Sequence, residues 1–261
     1  MTPPGAELLV TGPLQVVGRI MPASNHTFLC QLGEGGDAAR AVYKPVSGER
    51  PLWDFTDGTL AQREYAAYLV SEATGWSVVP PTTLREGPLG PGMVQLWQEA
   101  DDTIEPVDLV PLGSVPPGYL HVLDAFDERD RPVALVHEDT RELRRMAVLD
   151  VVLNNTDRKG GHVLAMADGR RLGVDHGVCF HTDDKLRTVL WGWAGQRLGD
   201  EEVQVLERLT DQLSGALGER LRSLLTVAEV AATARRIRLL LAAGMLPVPS
   251  GEWPAIPWPP F

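Results

Sequence analysis

The sequence predicts an α+β fold of two lobes, strand-rich over residues 1–100 and helix-rich over 101–261. Three observations carry that prediction. Short β-prone runs separated by turn residues fill the first part, helical periodicity dominates the second, and a polar, proline-containing stretch lies between them. A chain of 261 residues, 44% of them hydrophobic, suits one large domain or two lobes that share a cleft.

Taken in order, Leu14 to Ile20, Thr27 to Gln31 and Ala41 to Tyr43 read as strands of an antiparallel meander. The turns between them fall at Pro22-Ala-Ser-Asn and Gly33-Glu-Gly-Gly. From Thr59 to Thr74 the period changes to that of a helix, and Gly75 supplies the stop. Val78 to Leu84 and Gly92 to Trp97 read as two more strands, and Asp101 to Gly118 as a connector. His121 to Phe126 is expected as a short helix, followed by a strong amphipathic helix over Glu138 to Leu153. Two short strands, His162 to Ala167 and Arg171 to Val174, are joined by the hairpin turn Asp168-Gly169. Helices are expected over Glu201 to Leu217 and Val227 to Ala243, then an irregular Pro/Trp-rich tail packed on the body.

Composition narrows the partners. A formal net charge of −11 argues against a general nucleic-acid binder, which needs clustered Lys and Arg. No apolar run approaches the roughly 20 residues that span a bilayer. Met1 to Glu7 lacks the order of a secretory signal, so the cytoplasm is the expected compartment. Cys30 and Cys179 are expected as two buried thiols rather than a disulfide.

The chemistry concentrates between Asn154 and Phe180. A helix ending at Leu153 leads into a loop displaying Asn154, Asn155, Asp157, Arg158 and His162, and a hairpin then brings up Asp175 before Gly177. Phosphoryl transfer needs one carboxylate beside the attacking hydroxyl and another that holds a metal on the phosphates. A loop and a strand end joined by a hairpin can set two such carboxylates side by side.

The segments Asn154-Asn-Thr-Asp-Arg-Lys-Gly-Gly-His-Val-Leu and Gly173-Val-Asp-His-Gly-Val-Cys-Phe together resemble the Asp-Arg…Asn…Asp-x-Gly segment of phosphatidylinositol 3-/4-kinases. The likeness is greatest to the type II phosphatidylinositol 4-kinases and to bacterial proteins carrying this kinase-like domain, and it runs from about Leu14 to Trp193. It implies a bilobal protein-kinase-like fold that binds ATP with Mg²⁺ or Mn²⁺. It implies Asp157 as catalytic base or hydroxyl-positioning residue and Asp175 as the metal-binding residue. His162 stands where the family has Asn. Mg²⁺ prefers oxygen while imidazole suits softer ions, so His162 is a candidate Mn²⁺ ligand, a phosphate contact, or a substitution that weakens the second metal site. Arg158 either holds the Asp157 loop or meets a substrate phosphate. His176, inside Asp-His-Gly, is expected to pack.

On the strand-rich side, Lys44 in Ala41-Val-Tyr-Lys-Pro is placed to grip the α- and β-phosphates, with Glu64 as its expected acidic partner and Glu72 as runner-up. Ser24, Asn25 and Thr27 lie where a phosphate-covering turn belongs, an ordinary polar hairpin being the alternative. The resemblance puts the adenine-binding hinge at Gln98, Glu99 and Ala100, after a strand ending near Trp97, which suits the core as well as a ligand. The Trp191-Gly-Trp pair suits core packing better than a membrane contact. The expected function is transfer of the γ-phosphate of ATP to a hydroxyl acceptor. Protein Ser/Thr, including autophosphorylation, fits better than a phosphoinositide, because the segment after Gly177 mixes charges and the chain is acidic. The alternatives are a phosphatidylinositol kinase, a nucleotide-binding pseudokinase and an AMP-transferring enzyme on the same fold.

Overall fold

The computed structural model describes residues 6–21, 25–50, 52–55 and 59–261. After a short helix α1 (Ala6–Thr11), the first lobe is a five-stranded antiparallel sheet. Its strands are β1 (Leu14–Arg19), β2 (Phe28–Leu32), β3 (Ala39–Pro45), β4 (Thr82–Gly87) and β5 (Gly90–Leu96), in the spatial order β1-β2-β3-β5-β4. Along β3 the buried residues alternate, so Ala41, Tyr43 and Pro45 point into the lobe and Lys44 points away from it. Cys30, Leu32, Ala41, Tyr43 and Val94 form the small core beneath, and Tyr43 Oη donates to Gly90 O at 2.6 Å. Both cysteines are free and buried, as expected. Gly92 lets β3 and β5 approach, because a Cβ there would lie 2.5 Å from Lys44 O.

Helix α2 (Leu60–Thr74) follows β3 and ends at Gly75, whose φ of 75° is the left-handed cap expected of glycine. Ala66, Ala67, Leu69 and Val70 belong to the large core of the second lobe. The helix is thus buried by both lobes, which is why charged Arg63 and Glu64 are themselves buried. Glu64 is thereby fixed relative to both lobes.

The segment expected as a connector and a short helix is instead a three-stranded antiparallel sheet. It comprises β6 (Val107–Pro111), β7 (Tyr119–Phe126) and β8 (Pro132–Glu138), in the order β6-β8-β7. A short apolar run such as Leu120-His-Val-Leu does not distinguish helix from strand by itself, and pairing with β8 decides it. Because β8 extends through Glu138, helix α3 (Arg141–Leu153) starts later than expected, capped by Thr140. It ends at Asn154, in a left-handed conformation with φ of 53°.

The hairpin of β9 (Val163–Ala165) and β10 (Arg171–Gly173) lies where the sequence places it, slightly shorter at each end. Helix α4 (Asp200–Leu213) stops before Leu217 because Ser214-Gly215 interrupts it, Gly215 leaving helical backbone at φ −118° and ψ −137°. Helices α5 (Ala216–Arg222) and α6 (Val227–Ala243) follow, the last capped by reciprocal Thr226 and Glu229 bonds. The irregular tail packs on the body, as expected. The result is the α+β arrangement of two lobes that the sequence predicts. Among the described residues, no helix is long and apolar enough to cross a membrane.

Candidate active site

The lobes meet at Lys44. Its ammonium lies 2.5 Å from Glu64 Oε1 and 2.6 Å from Asp175 Oδ1. Strand β3 delivers the lysine, α2 the glutamate and the loop after β10 the aspartate, so three separate elements converge on one charge. Glu64, not Glu72, makes the pair, and its other oxygen accepts from the His176 backbone at 3.2 Å. Burial by itself would lower the Lys44 pKa, but Asp175 and then Glu64 outweigh it and the group is held charged, above its ordinary value. Lys44 in turn holds the Asp175 carboxyl well below the usual carboxylate range against burial. Glu64, almost wholly buried, is pushed upward by burial first of all. Asp175 remains about half exposed and has a left-handed backbone with φ of 63°.

Asp157 lies on the loop after α3. Its amide donates to Asn155 Oδ1 at 3.0 Å, and its carbonyl bonds His162 Nδ1 at 2.9 Å. The other His162 nitrogen lies 3.4 Å from Asp175 Oδ2, so His162 bridges the loop and the metal-candidate aspartate. Burial lowers the His162 pKa and raises that of Asp157. Lys159 Nζ lies 3.6 Å from Asp157 Oδ2.

A buried ion pair fixes both loops. Arg158 and Asp150 are fully buried, joined by bonds of 2.8 and 2.9 Å. The same guanidinium donates to the carbonyls of His162 and Val174 at 3.1 Å and lies 2.7 Å from His176 Nε2. Asn155 Nδ2 adds a bond to Asp150 at 3.0 Å. Arg158 therefore takes the loop-holding role of its two expected ones, and at this depth it does not reach a substrate phosphate. His176 packs, as expected, with no exposed surface. Asn154 also works inward, donating to the carbonyls of His181 and Asp183 and accepting from Lys185 N.

On the other side of the cleft the expected contacts are partly redirected. Ser24 lies outside the described residues. Asn25 Oδ1 accepts from Arg50 N at 2.9 Å, and Thr27 is buried with its hydroxyl on Asn25 O. The Asn25 side chain thus ties the turn to Arg50, and the His26 amide donates to Gly48 O at 3.2 Å. At the hinge, Gln98 Nε2 donates to Leu96 O and Glu99 pairs with Arg40. With those side chains occupied, Gln98 to Ala100 can offer a ligand mainly backbone. Asp101 N donates to Ala165 O at 2.8 Å, which fastens the hinge to β9. Arg40 covers the Trp97 ring at 5.4 Å.

Among the described residues, no three His, Cys, Asp or Glu side chains gather as a self-sufficient metal cage. A nucleotide-borne metal does not require one. Mg²⁺ in phosphoryl-transfer sites is held by one or two carboxylates together with substrate phosphates, and half-exposed, ionised Asp175 meets that demand. The imidazole of His162, kept neutral by burial and 3.4 Å from Asp175 Oδ2, adds a nitrogen donor, whereas Mg²⁺ takes oxygen.

Sequence reasoning did not single out Asp150, Lys185 or the end of the tail. Asp150 read as one residue on an amphipathic face, and only its Arg158 partner reveals its depth. Lys185 is buried, with its ammonium 5.1 Å from the Trp53 ring and 4.5 Å from that of Trp253. Nothing local in its sequence marks it.

No family model matches the chain. Over 213 residues it is 26% identical to phosphatidylinositol 4-kinase gamma 4 of Oryza sativa subsp. japonica, a match covering 67% of this chain and 33% of the rice protein. Among solved structures it is similar to the Helicobacter pylori proinflammatory kinase CtkA, with a TM-score of 0.43 and 11% identity over 91% of this chain and 94% of that one. It is 51% identical over 263 residues to Protein Rv2133c of Mycobacterium tuberculosis (strain ATCC 25618 / H37Rv), covering 97% of this chain and 94% of the mycobacterial one. The chain belongs to the family of Protein Rv2133c.

Proposed function

We propose that this chain is an ATP-dependent phosphotransferase that passes the γ-phosphate to a hydroxyl, with a protein Ser or Thr as the favoured acceptor. The observation that carries the reading is Lys44 held between Glu64 and Asp175, with Asp157 on the neighbouring loop. Such a lysine is pre-oriented for the phosphates of a nucleotide whose adenine lies against the Gln98–Ala100 backbone. Mg²⁺ or Mn²⁺, when bound with ATP, neutralises charge on the phosphates; Asp175 and His162 are the residues that would hold it. Asp157, its pKa raised by burial, orients the acceptor hydroxyl and takes its proton as the oxygen bonds to phosphorus and the ADP oxygen departs. The similarity to the rice phosphatidylinositol 4-kinase supports kinase chemistry without specifying the acceptor.

The segment after Gly177 favours protein over lipid. Its lysine, Lys185, is buried between two tryptophans, whereas Asp183 and Asp184 are exposed. An anionic headgroup would meet these carboxylates, with half-buried Arg187 as the segment's remaining cation. His162 in the place of Asn favours a second reading, a nucleotide-binding pseudokinase.

The deciding experiment incubates the protein with ATP labelled at the γ- or the α-phosphate, with Mg²⁺ or Mn²⁺, against candidate proteins and phosphoinositide vesicles. Protein-bound γ-label that disappears in both Asp157→Ala and Asp175→Ala supports the proposal. Bound α-label replaces it with AMP transfer, and lipid label moves the acceptor to a phosphoinositide. Nucleotide binding without turnover supports the pseudokinase, and full activity in Asp175→Ala overturns the metal assignment.

A further inference from the structure

The tail crosses the candidate catalytic loop and is bonded to it. Ala255 O accepts from Thr188 N at 3.0 Å and from Trp191 Nε1 at 2.8 Å. Thr188 is the residue bridged to Arg158 in parallel, so this contact braces the loop from one side. Pro260 O accepts from Gly160 N at 2.8 Å, which braces it from the other.

Gly160 itself supplies the decisive observation. Its backbone is not in the left-handed region, so conformation does not demand glycine there. Space does. A Cβ at Gly160 would lie 2.4 and 2.6 Å from two carbons of the Phe261 ring. The absence of a side chain at residue 160 is thus matched to an aromatic ring supplied from a hundred residues downstream.

We propose that Pro260 and Phe261 are positioning residues for the catalytic loop, setting Asp157 through Gly160. The proposal rests on reading Asp157 as the group that meets the acceptor hydroxyl. Gly160 and Gly161 carry no side chain that would hold them in place, and glycine carries the largest backbone freedom of any residue. The turn's own backbone bonds run from His162 N to Lys159 O and from Val163 N to Gly160 O, and the strap adds one hydrogen bond and one ring contact. Because His162 Nδ1 bonds the Asp157 carbonyl, a shift at residues 160–161 is passed to both chemistry-bearing residues. Phe261 is itself 45% exposed, so it acts at the rim of the site rather than as core.

The test compares the full chain with Phe261→Ala, Gly160→Ala, the two combined, and Phe261→Leu. Hydrogen exchange, thermal unfolding and steady-state γ-phosphate transfer are measured on each. In either single variant, the amides of residues 157–162 should exchange about tenfold faster. In the same variants kcat should fall on the order of tenfold, while the KM for ATP and the unfolding temperature stay put. The double variant should be no worse than either single one, since both break one contact, and Phe261→Leu should restore most of the loss. Unchanged exchange in Phe261→Ala, or losses that add in the double variant, would overturn the proposal. If the unmodified chain transfers no phosphate, the kinase reading fails, and the exchange arm still decides whether the strap holds the loop.

Discussion

The candidate catalytic-loop side of the site and the candidate hinge side are built from different materials. On the loop side, Arg158 and Asp150 are completely buried, and one guanidinium serves a carboxylate, two carbonyls and an imidazole. On the hinge side, the charged pair Arg40–Glu99 is 52% and 69% exposed, and the fixed contacts are backbone bonds such as Asp101 N to Ala165 O. The difference teaches where geometry is specified. The elements that would touch the reacting atoms are fixed by buried charges that tolerate no lost partner. The elements that would touch adenine are fixed by chain connectivity and sheet register, so their side chains are replaceable.

The largest expected effect tests the first half of that comparison. Asp150→Ala leaves a buried guanidinium without its carboxylate, and breaking a buried pair by removing one partner costs about 3–5 kcal/mol. Denaturant unfolding should show a loss of that order. A loss below about 1 kcal/mol would mean that the carbonyls of His162 and Val174 suffice to hold Arg158.

Next in size is a change in rate rather than stability. Asp175→Asn keeps the shape of the loop and removes the charge that faces Lys44. Lys44 retains Glu64, so the fold should hold. Phosphate transfer should fall by about 10²–10³-fold, the range for losing one preorganised electrostatic partner. Single-turnover kinetics would measure it, and a stability loss as large as that of Asp150→Ala would show Asp175 to be structural.

How much of this was legible in the sequence follows the same division. Lys44 and Glu64 could be paired on paper, a lysine after a short strand and a glutamate one turn into the next helix, and the family resemblance marked Asp175, but the contact between Asp175 and Lys44 was not anticipated. The anchoring pair was not legible as a pair. Asp150 lies on a helix among residues that read as one amphipathic stripe, and its burial depends on a loop that folds back eight residues later. The sheet of β6, β7 and β8 was missed because β8 is buried along six consecutive residues and shows no alternation, while β6 sits in a stretch punctuated by proline. The strap on Gly160 joins residues a hundred positions apart, and only tertiary structure can report such a contact.

A buried histidine sharpens the comparison at intermediate size. His137 Nε2 accepts from Gly192 N at 3.0 Å, and its Nδ1 lies 2.8 Å from Glu138 O, the bonding of a neutral ring. Burial lowers its pKa below the ordinary 6.5, despite the opposing pull of the Glu138 carbonyl and the nearby Asp139 carboxylate. The unfolded chain therefore binds a proton here at a higher pH than the folded one does. Stability should fall as pH drops below about 6.5, by up to about 1.4 kcal/mol per unit while the folded ring stays neutral. Urea midpoints at pH 7 and pH 5 would show it, and His137→Gln should flatten that slope. An unaltered slope would place the acid sensitivity elsewhere.

The smallest effect is the one on which the contrast stands or falls. Glu99→Ala removes the hinge ion pair, but exposed pairs are worth about 0.2–1 kcal/mol and are screened by salt. Unfolding should shift by no more than that, and by less at high ionic strength. Nucleotide affinity should also be nearly unchanged, because the Gln98–Ala100 backbone stays tied through Trp97 N to Arg40 O and through Asp101 N to Ala165 O. Isothermal titration with ATP on Glu99→Ala measures this directly. A tenfold or greater loss of affinity would mean that the Glu99 side chain itself shapes the adenine site. The two sides of the cleft would then be specified alike, by charge, and the division drawn from burial would not hold.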